Sequence, residues 1–193
     1  MSYNSIISKA LNWFEIKEAK CTACSKSFFS LNTFNTFELD ILGTFKKINK
    51  PITILDCLQY YIMEKPQLLI CKKCKNNCKF MRKTKIYCSP RIFVFSLDRK
   101  NLDSNLLQIP FLLDERINIY NFLENKDLPS QYQLSGILSY CINYNKYISF
   151  CLSPIDNQWY IYDDENIQLT QINDVFSSHN SNKYIPCILV YIS

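Results

Sequence analysis

The sequence contains only two glycines among its 193 residues, Gly43 and Gly136. Phosphate-binding loops need several closely spaced glycines, because glycine lets the backbone approach a phosphate and adopt left-handed conformations. Neither G-x-G-x-x-G nor G-x-x-x-x-G-K-[ST] can be written from these two residues. The usual dinucleotide and nucleotide sites are therefore excluded.

Long apolar runs are also missing from the sequence. No stretch of about 18 apolar residues occurs, so no membrane span is expected. The N-terminal segment MSYNSIISKALNWFEIKE lacks the apolar centre and the small-residue cleavage site of a signal peptide. We therefore expect a cytoplasmic or nuclear protein, in which thiols are kept reduced.

Acidic residues are absent from the most basic part of the chain, which spans residues 72–85. The overall net charge of +5 is mild, so that an acidic partner is permitted but not required. Few aromatic residues interleave with the basic ones, which argues against a base-stacking platform for nucleic acid. A solvated arm and a protein-contacting arm are the other interpretations of this run.

Cysteine, by contrast, is abundant, with ten in the chain. Cys21 and Cys24 form one C-x-x-C pair, and Cys71 and Cys74 form a second. Each such turn directs two thiolates at one point, so two turns supply the four sulfurs of a tetrahedral zinc site. Neighbouring lysines lower the pKa of the thiols and offset the negative charge of the centre. We therefore predict one structural Zn²⁺ bound by these four cysteines.

The remaining cysteines have other interpretations. Cys78 is an alternative ligand, although its spacing from Cys74 is less regular. The other five lie in apolar segments, where free cysteine behaves as a small buried hydrophobic residue: Cys57, Cys88, Cys141, Cys151 and Cys187.

Hydrophobic periodicity predicts a few helices followed by a mostly antiparallel sheet. Residues 5–14 predict a short helix, and residues 34–42 alternate as in a half-buried strand. The TILD segment at 53–56 matches a capping box at the start of a second helix, which Pro66 ends. Five later segments are short and rich in aromatic and β-branched residues, as strands are: 91–97, 132–142, 146–152, 158–163 and 185–192.

Six features after the first cysteine pair resemble, in the same order, those of the ubiquitin-specific proteases, a papain-like family of deubiquitinating enzymes. They are the strand and capped helix between the cysteine pairs, KIYCSPRIFVFSLDR (85–99), QIPFLLDERINIY (108–120), YQLSGILSY (132–140), WYIYDDENI (159–167) and YIPCILVYI (184–192). The fifth matches the family pattern W-x-x-[FY]-D-D-x-x-V well, whereas 108–120 matches loosely. The resemblance extends from about Cys21 to the end of the chain.

This resemblance implies an α+β fold made of the papain-like finger and palm, with a mainly antiparallel sheet, a few helices and a four-cysteine zinc ribbon arm. It implies that residues 1–193 form a single partial domain, with the zinc finger arm and a helix at about 15–90 and the palm sheet at 91–193. In the family, these subdomains grip ubiquitin and lead its C-terminal tail along a groove. Tyr147 and Asp164 are the positions that resemblance places at this groove.

The chain departs from the family at the catalytic positions. Active members carry H-x-G and then G-H-Y after the Y-x-L-x-G strand, and the second histidine is the general base of a Cys–His–Asp/Asn triad. Here these histidine positions hold Tyr140 and Lys146. A lysine ammonium, with an unperturbed pKa of about 10.4, is a poor base at neutral pH. Asp163 matches the acid of the triad, and no cysteine before Cys21 matches the nucleophile.

The single histidine of the chain does not replace the missing base. His179 lies in the polar segment FSSHNSNKY, which we interpret as a loop before the last strand. We therefore predict a protein that binds ubiquitin or a ubiquitinated protein, or acts as a scaffold in a larger complex, without peptidase activity of its own. Two alternatives stay open: the C-terminal half or a fragment of an active ubiquitin-specific cysteine protease, and a zinc-ribbon module that binds nucleic acid.

Overall fold

The computed structural model describes residues 5–99, 108–181 and 183–193, which form two β-sheets with helices packed against them. The helices are α1 (Ile6–Leu11), α2 (Ile41–Ile48), α3 (Ile54–Ile62), α4 (Ile172–Asn180) and a short 3-10 helix (Tyr120–Phe122). The strands are β1 (Trp13–Cys21), β2 (Ser27–Phe34), β3 (Phe37–Asp40), β4 (Lys65–Ile70), β5 (Asn77–Cys88), β6 (Ile92–Asp98), β7 (Arg116–Asn118), β8 (Gln131–Cys141), β9 (Lys146–Leu152), β10 (Trp159–Asp163), β11 (Asn166–Thr170) and β12 (Tyr184–Ile192). Within the described residues, no helix combines the length and apolarity that a membrane span requires.

Four strands form a separate antiparallel sheet, here called the finger sheet, in the order β2-β1-β5-β4. Its two hairpins, β1–β2 and β4–β5, each enclose one C-x-x-C pair at their turn. The two central strands pair along most of their length, from Phe14 opposite Cys88 to Cys21 opposite Phe80. This pairing brings the two turns to the same end of the sheet.

Eight strands form the second sheet, here called the palm sheet. The main path runs β11-β10-β9-β8-β12-β6-β3, and β7 pairs with β8 beside this path. All of these pairings are antiparallel except that of β3 with β6, which is parallel. The structure therefore confirms the predicted α+β fold with a mainly antiparallel sheet. Strand β3 belongs to the palm sheet, although it precedes the second cysteine pair in the sequence.

The hydrophobic core lies between the palm sheet and helices α2 and α3, and aromatic rings fill its centre. Phe93 stacks on Phe95 with ring centroids 5.1 Å apart, and Tyr132 meets Phe93 edge-on at 5.0 Å. Trp13, the first residue of the finger sheet, stacks on Phe37 at 4.3 Å. Aromatic pairs of this kind stabilise a core beyond the area that they bury. The base of the finger sheet is thus part of the main core.

A buried carboxylate also connects the finger sheet to helix α3. Glu15 on β1 is fully buried, accepts a hydrogen bond from the Asn32 amide at 3.0 Å and another from the Tyr61 hydroxyl of α3, and pairs with Lys17. Burial and the adjacent Glu15 raise the pKa of the Tyr61 hydroxyl well above its ordinary range. Buried charges are tolerated when they are paired and hydrogen-bonded in this way.

The capping box predicted at 53–56 is present. The Thr53 hydroxyl accepts from the Asp56 backbone N–H, and the Asp56 carboxylate accepts from the Thr53 backbone N–H at 2.9 Å. We expect Thr53→Ala to lower the free energy of unfolding by about 1 kcal/mol, because it leaves a helical N–H without its acceptor. Chemical denaturation measures this loss, and Thr53→Ser, which keeps the hydroxyl, should retain most of the stability. Equal losses in both variants would contradict a capping role.

Several element boundaries differ from the sequence prediction. The helix predicted over 5–14 ends at Leu11, and Phe14 lies in β1. The strand predicted over 34–42 is limited to Phe37–Asp40, because the Asp40 carboxylate accepts a hydrogen bond from the Gly43 N–H at 2.7 Å and begins α2. The five later strands and the hairpin between β9 and β10 are confirmed.

Candidate functional site

The four predicted zinc ligands lie together at the tip of the finger sheet. The Sγ atoms of Cys21, Cys24, Cys71 and Cys74 all lie within 4.8 Å of one another, and those of Cys24 and Cys71 are 3.7 Å apart. Zinc–sulfur bonds of about 2.3 Å in a tetrahedron place the sulfurs about 3.8 Å apart. The spacing and the all-thiolate donor set therefore fit one structural Zn²⁺, as the sequence predicted.

The two cysteine turns have the same local geometry. In each turn, the N–H of the residue after the second cysteine donates to the carbonyl of the first, from Ser25 to Cys21 at 2.9 Å and from Lys75 to Cys71 at 2.7 Å. Ser25 and Lys75 adopt the left-handed conformation, with φ of 57° and 58°. Glycine adopts this conformation at no steric cost, whereas other residues are strained there. A bound metal offsets this strain by holding both turns.

Backbone N–H groups favour the thiolate form at Cys21 and Cys71, the first cysteine of each turn. Burial alone would raise the pKa of the Cys21 thiol, but the backbone N–H groups of Cys24 and Ala23 and the neighbouring thiols lower it to about 6. The Cys71 thiol also has a lowered pKa, chiefly because the Cys74 backbone N–H points at its sulfur from 3.5 Å. Metal binding and deprotonation are coupled, so these contacts assist zinc uptake near neutral pH.

Cys78 is buried beside the zinc site, in a small cluster with Phe80, Phe28 and Ala19. The group of four clustered thiols does not include it. This cluster is separate from the main core and contains few large side chains. The tip of the finger sheet therefore depends on the metal more than on hydrophobic burial.

The other predicted site residues lie on the palm sheet, far along the chain from the zinc ligands. Lys146 begins β9, and Asp163 ends the adjacent strand β10. The Lys146 ammonium forms ion pairs with the Asp163 carboxylate and, at 3.3 Å, with the Asp164 carboxylate. Hydrogen bonding to Asp163 raises the pKa of the Lys146 ammonium above its ordinary value. The structure thus places the predicted triad remnants in direct contact.

Exposed aromatic side chains lie in the turn between β8 and β9 and on the strand ends next to it. Tyr147 is about half exposed and packs edge-on against Tyr140, with ring centroids 5.5 Å apart. The Tyr140 hydroxyl donates to the Asn145 side chain. Tyr144 projects further into solvent. Asp164, one predicted position of the tail groove, therefore contacts Lys146, whereas Tyr147, the other, follows Lys146 on β9 and points to the opposite face of the sheet.

The interpretation of His179 as part of a polar loop is wrong. His179 lies in helix α4 and is 2% exposed, with its ring packed against Phe150 and Tyr184. Its Nδ1 lies 2.7 Å from the Val175 carbonyl oxygen, and its Nε2 lies 2.7 Å from the Ser139 hydroxyl. His179 is thus a hydrogen-bonded core residue. The four-residue spacing from Val175 was the available signal for a helix, but its polar neighbours concealed it.

Comparisons with known proteins agree with this arrangement. Human ubiquitin carboxyl-terminal hydrolase 21 is 23% identical over 184 residues, which cover 89% of this chain and 32% of that protein. Chicken ubiquitin carboxyl-terminal hydrolase 48 is 23% identical over 160 residues, which cover 77% of this chain and 15% of that protein. The chain thus spans about a third or less of the length of these relatives.

Solved structures share the fold. The SAGA Ubp8 DUB module bound to ubiquitin aldehyde contains a chain that matches with a TM-score of 0.77 and 20% identity, over 98% of this chain and 42% of that one. A yeast SAGA DUB module matches with a TM-score of 0.80 and 19% identity, over 99% of this chain and 42% of that one. The sequence profile of the family described as ubiquitin carboxyl-terminal hydrolase matches residues 2–191. With a match over nearly its whole length, the chain belongs to the ubiquitin carboxyl-terminal hydrolase family.

Proposed function

We propose that this chain binds ubiquitin through its finger and palm, and that it supplies no general base for peptide cleavage. The observation that carries the proposal is the contact of Lys146 with Asp163 and Asp164 at the position that the family resemblance assigns to the catalytic histidine. A lysine in this place changes the chemistry of the site, because the group that should accept a proton already holds one.

The surroundings of Lys146 strengthen its protonated state. A lysine acts as a base only when desolvation or a nearby cation lowers its pKa towards neutrality. Here two carboxylates face the ammonium, and its pKa is raised. Hydrogen bonds and charge from the two carboxylates outweigh the partial desolvation of the side chain, which acts in the opposite direction. Lys146 can hold the ends of β9 and β10 together, but it cannot accept the proton of a thiol at neutral pH.

Ubiquitin binding is supported by the fold and by the exposed residues around the ion pair. One of the similar solved structures is bound to ubiquitin aldehyde. On this chain, Asp164 is largely exposed next to Lys146, and Tyr147 is about half exposed on the opposite face of β9. The exposed ring offers apolar contact, and the exposed carboxylate offers hydrogen-bond acceptors, to a partner that reaches this end of β9 and β10.

Binding is tested by titrating the zinc-loaded protein with ubiquitin in a calorimeter. We expect saturable binding that Tyr147→Ala weakens by about tenfold, since an exposed aromatic anchor contributes on the order of 1–2 kcal/mol. Tyr144→Ala is the matched control, because Tyr144 is exposed in the turn just before β9 and is not one of the predicted groove positions. Its affinity should stay within about twofold. No detectable heat with ubiquitin, or equal losses in both variants, would contradict the proposed surface.

Activity is tested separately with a fluorogenic substrate attached to the ubiquitin C-terminus. We expect no turnover above background from the native chain. The alternative, one half of an active cysteine protease with Lys146 as its base, predicts turnover when a polypeptide that carries the cysteine half is added. Turnover that is abolished by a cysteine alkylator and by Lys146→Ala would establish that alternative. It would also contradict the proposal that this chain supplies no general base.

A further inference from the structure

The edge of the finger sheet formed by strand β4 has exposed apolar side chains. Leu68 and Ile70 are 77% and 73% exposed, and they point to the same face of the sheet because they are two residues apart. Within residues 5–99, 108–181 and 183–193, no strand pairs with the outer side of β4. An edge of this kind is a template for pairing with another chain.

The register identifies which backbone groups are free. The Cys71 N–H donates to the Asn76 carbonyl at 3.0 Å, directly beyond the last pair of the β4–β5 ladder. Hydrogen-bonded and non-hydrogen-bonded pairs alternate along an antiparallel ladder. Leu69 and Gln67 therefore bond to β5, whereas the N–H and C=O groups of Leu68 and Ile70 point outwards.

Natural proteins protect free edges with proline and lysine, and β4 does so only at its beginning. Pro66 has no N–H to offer, and Lys65 precedes it, with its ammonium 4.0 Å from the centre of the Tyr60 ring. From Gln67 to Ile70 the strand contains neither residue type. The unprotected half of the edge is the half next to the zinc site.

The charge around this edge selects the kind of partner. Residues 65–91 contain no aspartate or glutamate. The four lysines nearest to the unprotected half are exposed, and none of them has a carboxylate within 4.0 Å in the described part of the chain: Lys72, Lys73, Lys75 and Lys79. A segment that carries acidic side chains would therefore gain ion pairs here, whereas a basic segment would be repelled.

We propose that the outer edge of β4 binds an extended, acidic segment of another protein, which adds to the finger sheet as a fifth strand. Outward backbone groups of Leu68 and Ile70 pair with the segment, apolar residues of the segment pack on these two side chains, and its carboxylates pair with the nearby lysines. The site does not involve Lys146 or its surroundings. This partner site is additional to the proposed ubiquitin-binding function and does not rest on it.

The proposal is tested by titrating zinc-loaded protein with a short peptide in which Val and Glu alternate. Binding is monitored by NMR and by fluorescence anisotropy. We expect binding that slows amide exchange at Leu68 and Ile70, and a peptide with Lys in place of Glu should bind at least about tenfold more weakly. Leu68→Glu should weaken binding of the acidic peptide by about tenfold or more, because it places a like charge at the contact. Both readouts use the protein without ubiquitin, so their outcome is independent of ubiquitin binding.

Leu31→Glu is the matched control. Leu31 is an exposed apolar residue on β2, at the opposite edge of the same sheet, and the substitution changes the net charge equally. Binding by Leu31→Glu should stay within about threefold of native, because only the general electrostatic attraction changes. Equal losses in the two variants, equal binding of the basic peptide, or displacement of the peptide by ubiquitin would overturn the proposal. A single-stranded RNA that binds more tightly than the peptide and is unaffected by Leu68→Glu would also overturn it.

Discussion

Removal of zinc is expected to unfold the tip of the finger sheet while the palm sheet stays folded. The tip contains the small cluster around Phe80 and Cys78, whereas nearly all large buried side chains belong to the main core. Structural zinc contributes on the order of 10 kcal/mol to the folding of small zinc-binding units. Without it, only the local hydrogen bonds of each turn oppose the strain at Ser25 and Lys75, and no metal–sulfur bond joins the two pairs of thiols.

Chelation followed by amide hydrogen exchange measures this effect along the chain. We expect the protection of amides near Cys21 and Phe80 to be lost, while that of β8 and β12 in the palm sheet is retained. Trp13 and Glu15 anchor the base of the finger sheet in the main core, so protection should decrease gradually from base to tip.

Single cysteine variants distinguish the four predicted zinc ligands from the neighbouring Cys78. Cys71→Ser removes one of the four clustered thiols, and we expect it to lose the metal, as measured by elemental analysis of purified protein. Cys78→Ser is the matched control, because Cys78 is buried in the same cluster but lies outside the group of four. It should keep one zinc per chain. Retention of zinc by Cys71→Ser together with its loss from Cys78→Ser would assign the fourth ligand to Cys78.

The metal site could be predicted from the sequence because its chemistry is local. Each C-x-x-C pair fixes the direction of two thiols within four residues, so only the meeting of two turns depends on the fold. The pairing of β1 with β5, which causes that meeting, left little trace in the sequence. In β5, the inward positions between Phe80 and Ile86 hold Arg82 and Thr84, so the alternation of apolar and polar residues on which strand prediction depends is interrupted.

Boundaries were mispredicted where burial continues across a change of secondary structure. Phe37, Leu39 and Ile41 are all fully buried, so their alternation suggested one strand. The strand nevertheless ends at Asp40, whose carboxylate caps α2. Likewise, α4 buries only Val175 and His179, and the polar residues between them resemble a loop. In both cases, tertiary packing determines the element, and a short sequence window does not contain that information.

The buried histidine leads to a prediction about the pH dependence of stability. A carbonyl oxygen can only accept a hydrogen bond, so the proton of neutral His179 is on Nδ1, which donates to Val175. Nε2 then accepts from the Ser139 hydroxyl. Burial, together with the positive charge of Arg99, lowers the pKa of His179 to about 4. The folded state therefore binds the proton much more weakly than the unfolded chain does.

The difference between the folded and unfolded pKa of His179 determines how stability changes with pH. With an unfolded pKa near 6.5 and a folded pKa of about 4, the unfolded state gains a proton first as the pH falls. The contribution of His179 to stability is present above pH 6.5 and decreases as the pH falls towards 4. Between pH 7 and pH 5, this residue alone should lower the free energy of unfolding by about 2 kcal/mol.

Denaturation of zinc-loaded protein between pH 7 and pH 5 tests this prediction. His179→Asn is the informative variant, because its amide N–H can still reach the Val175 carbonyl but does not titrate. We expect this variant to be less stable at pH 7 and to lose about 2 kcal/mol less than the native protein over the same range. His179 is the only histidine in the chain, so no other side chain of this type contributes to the difference. Parallel pH profiles for the two proteins would contradict the buried, neutral state of His179, and measured metal content shows whether zinc stayed bound.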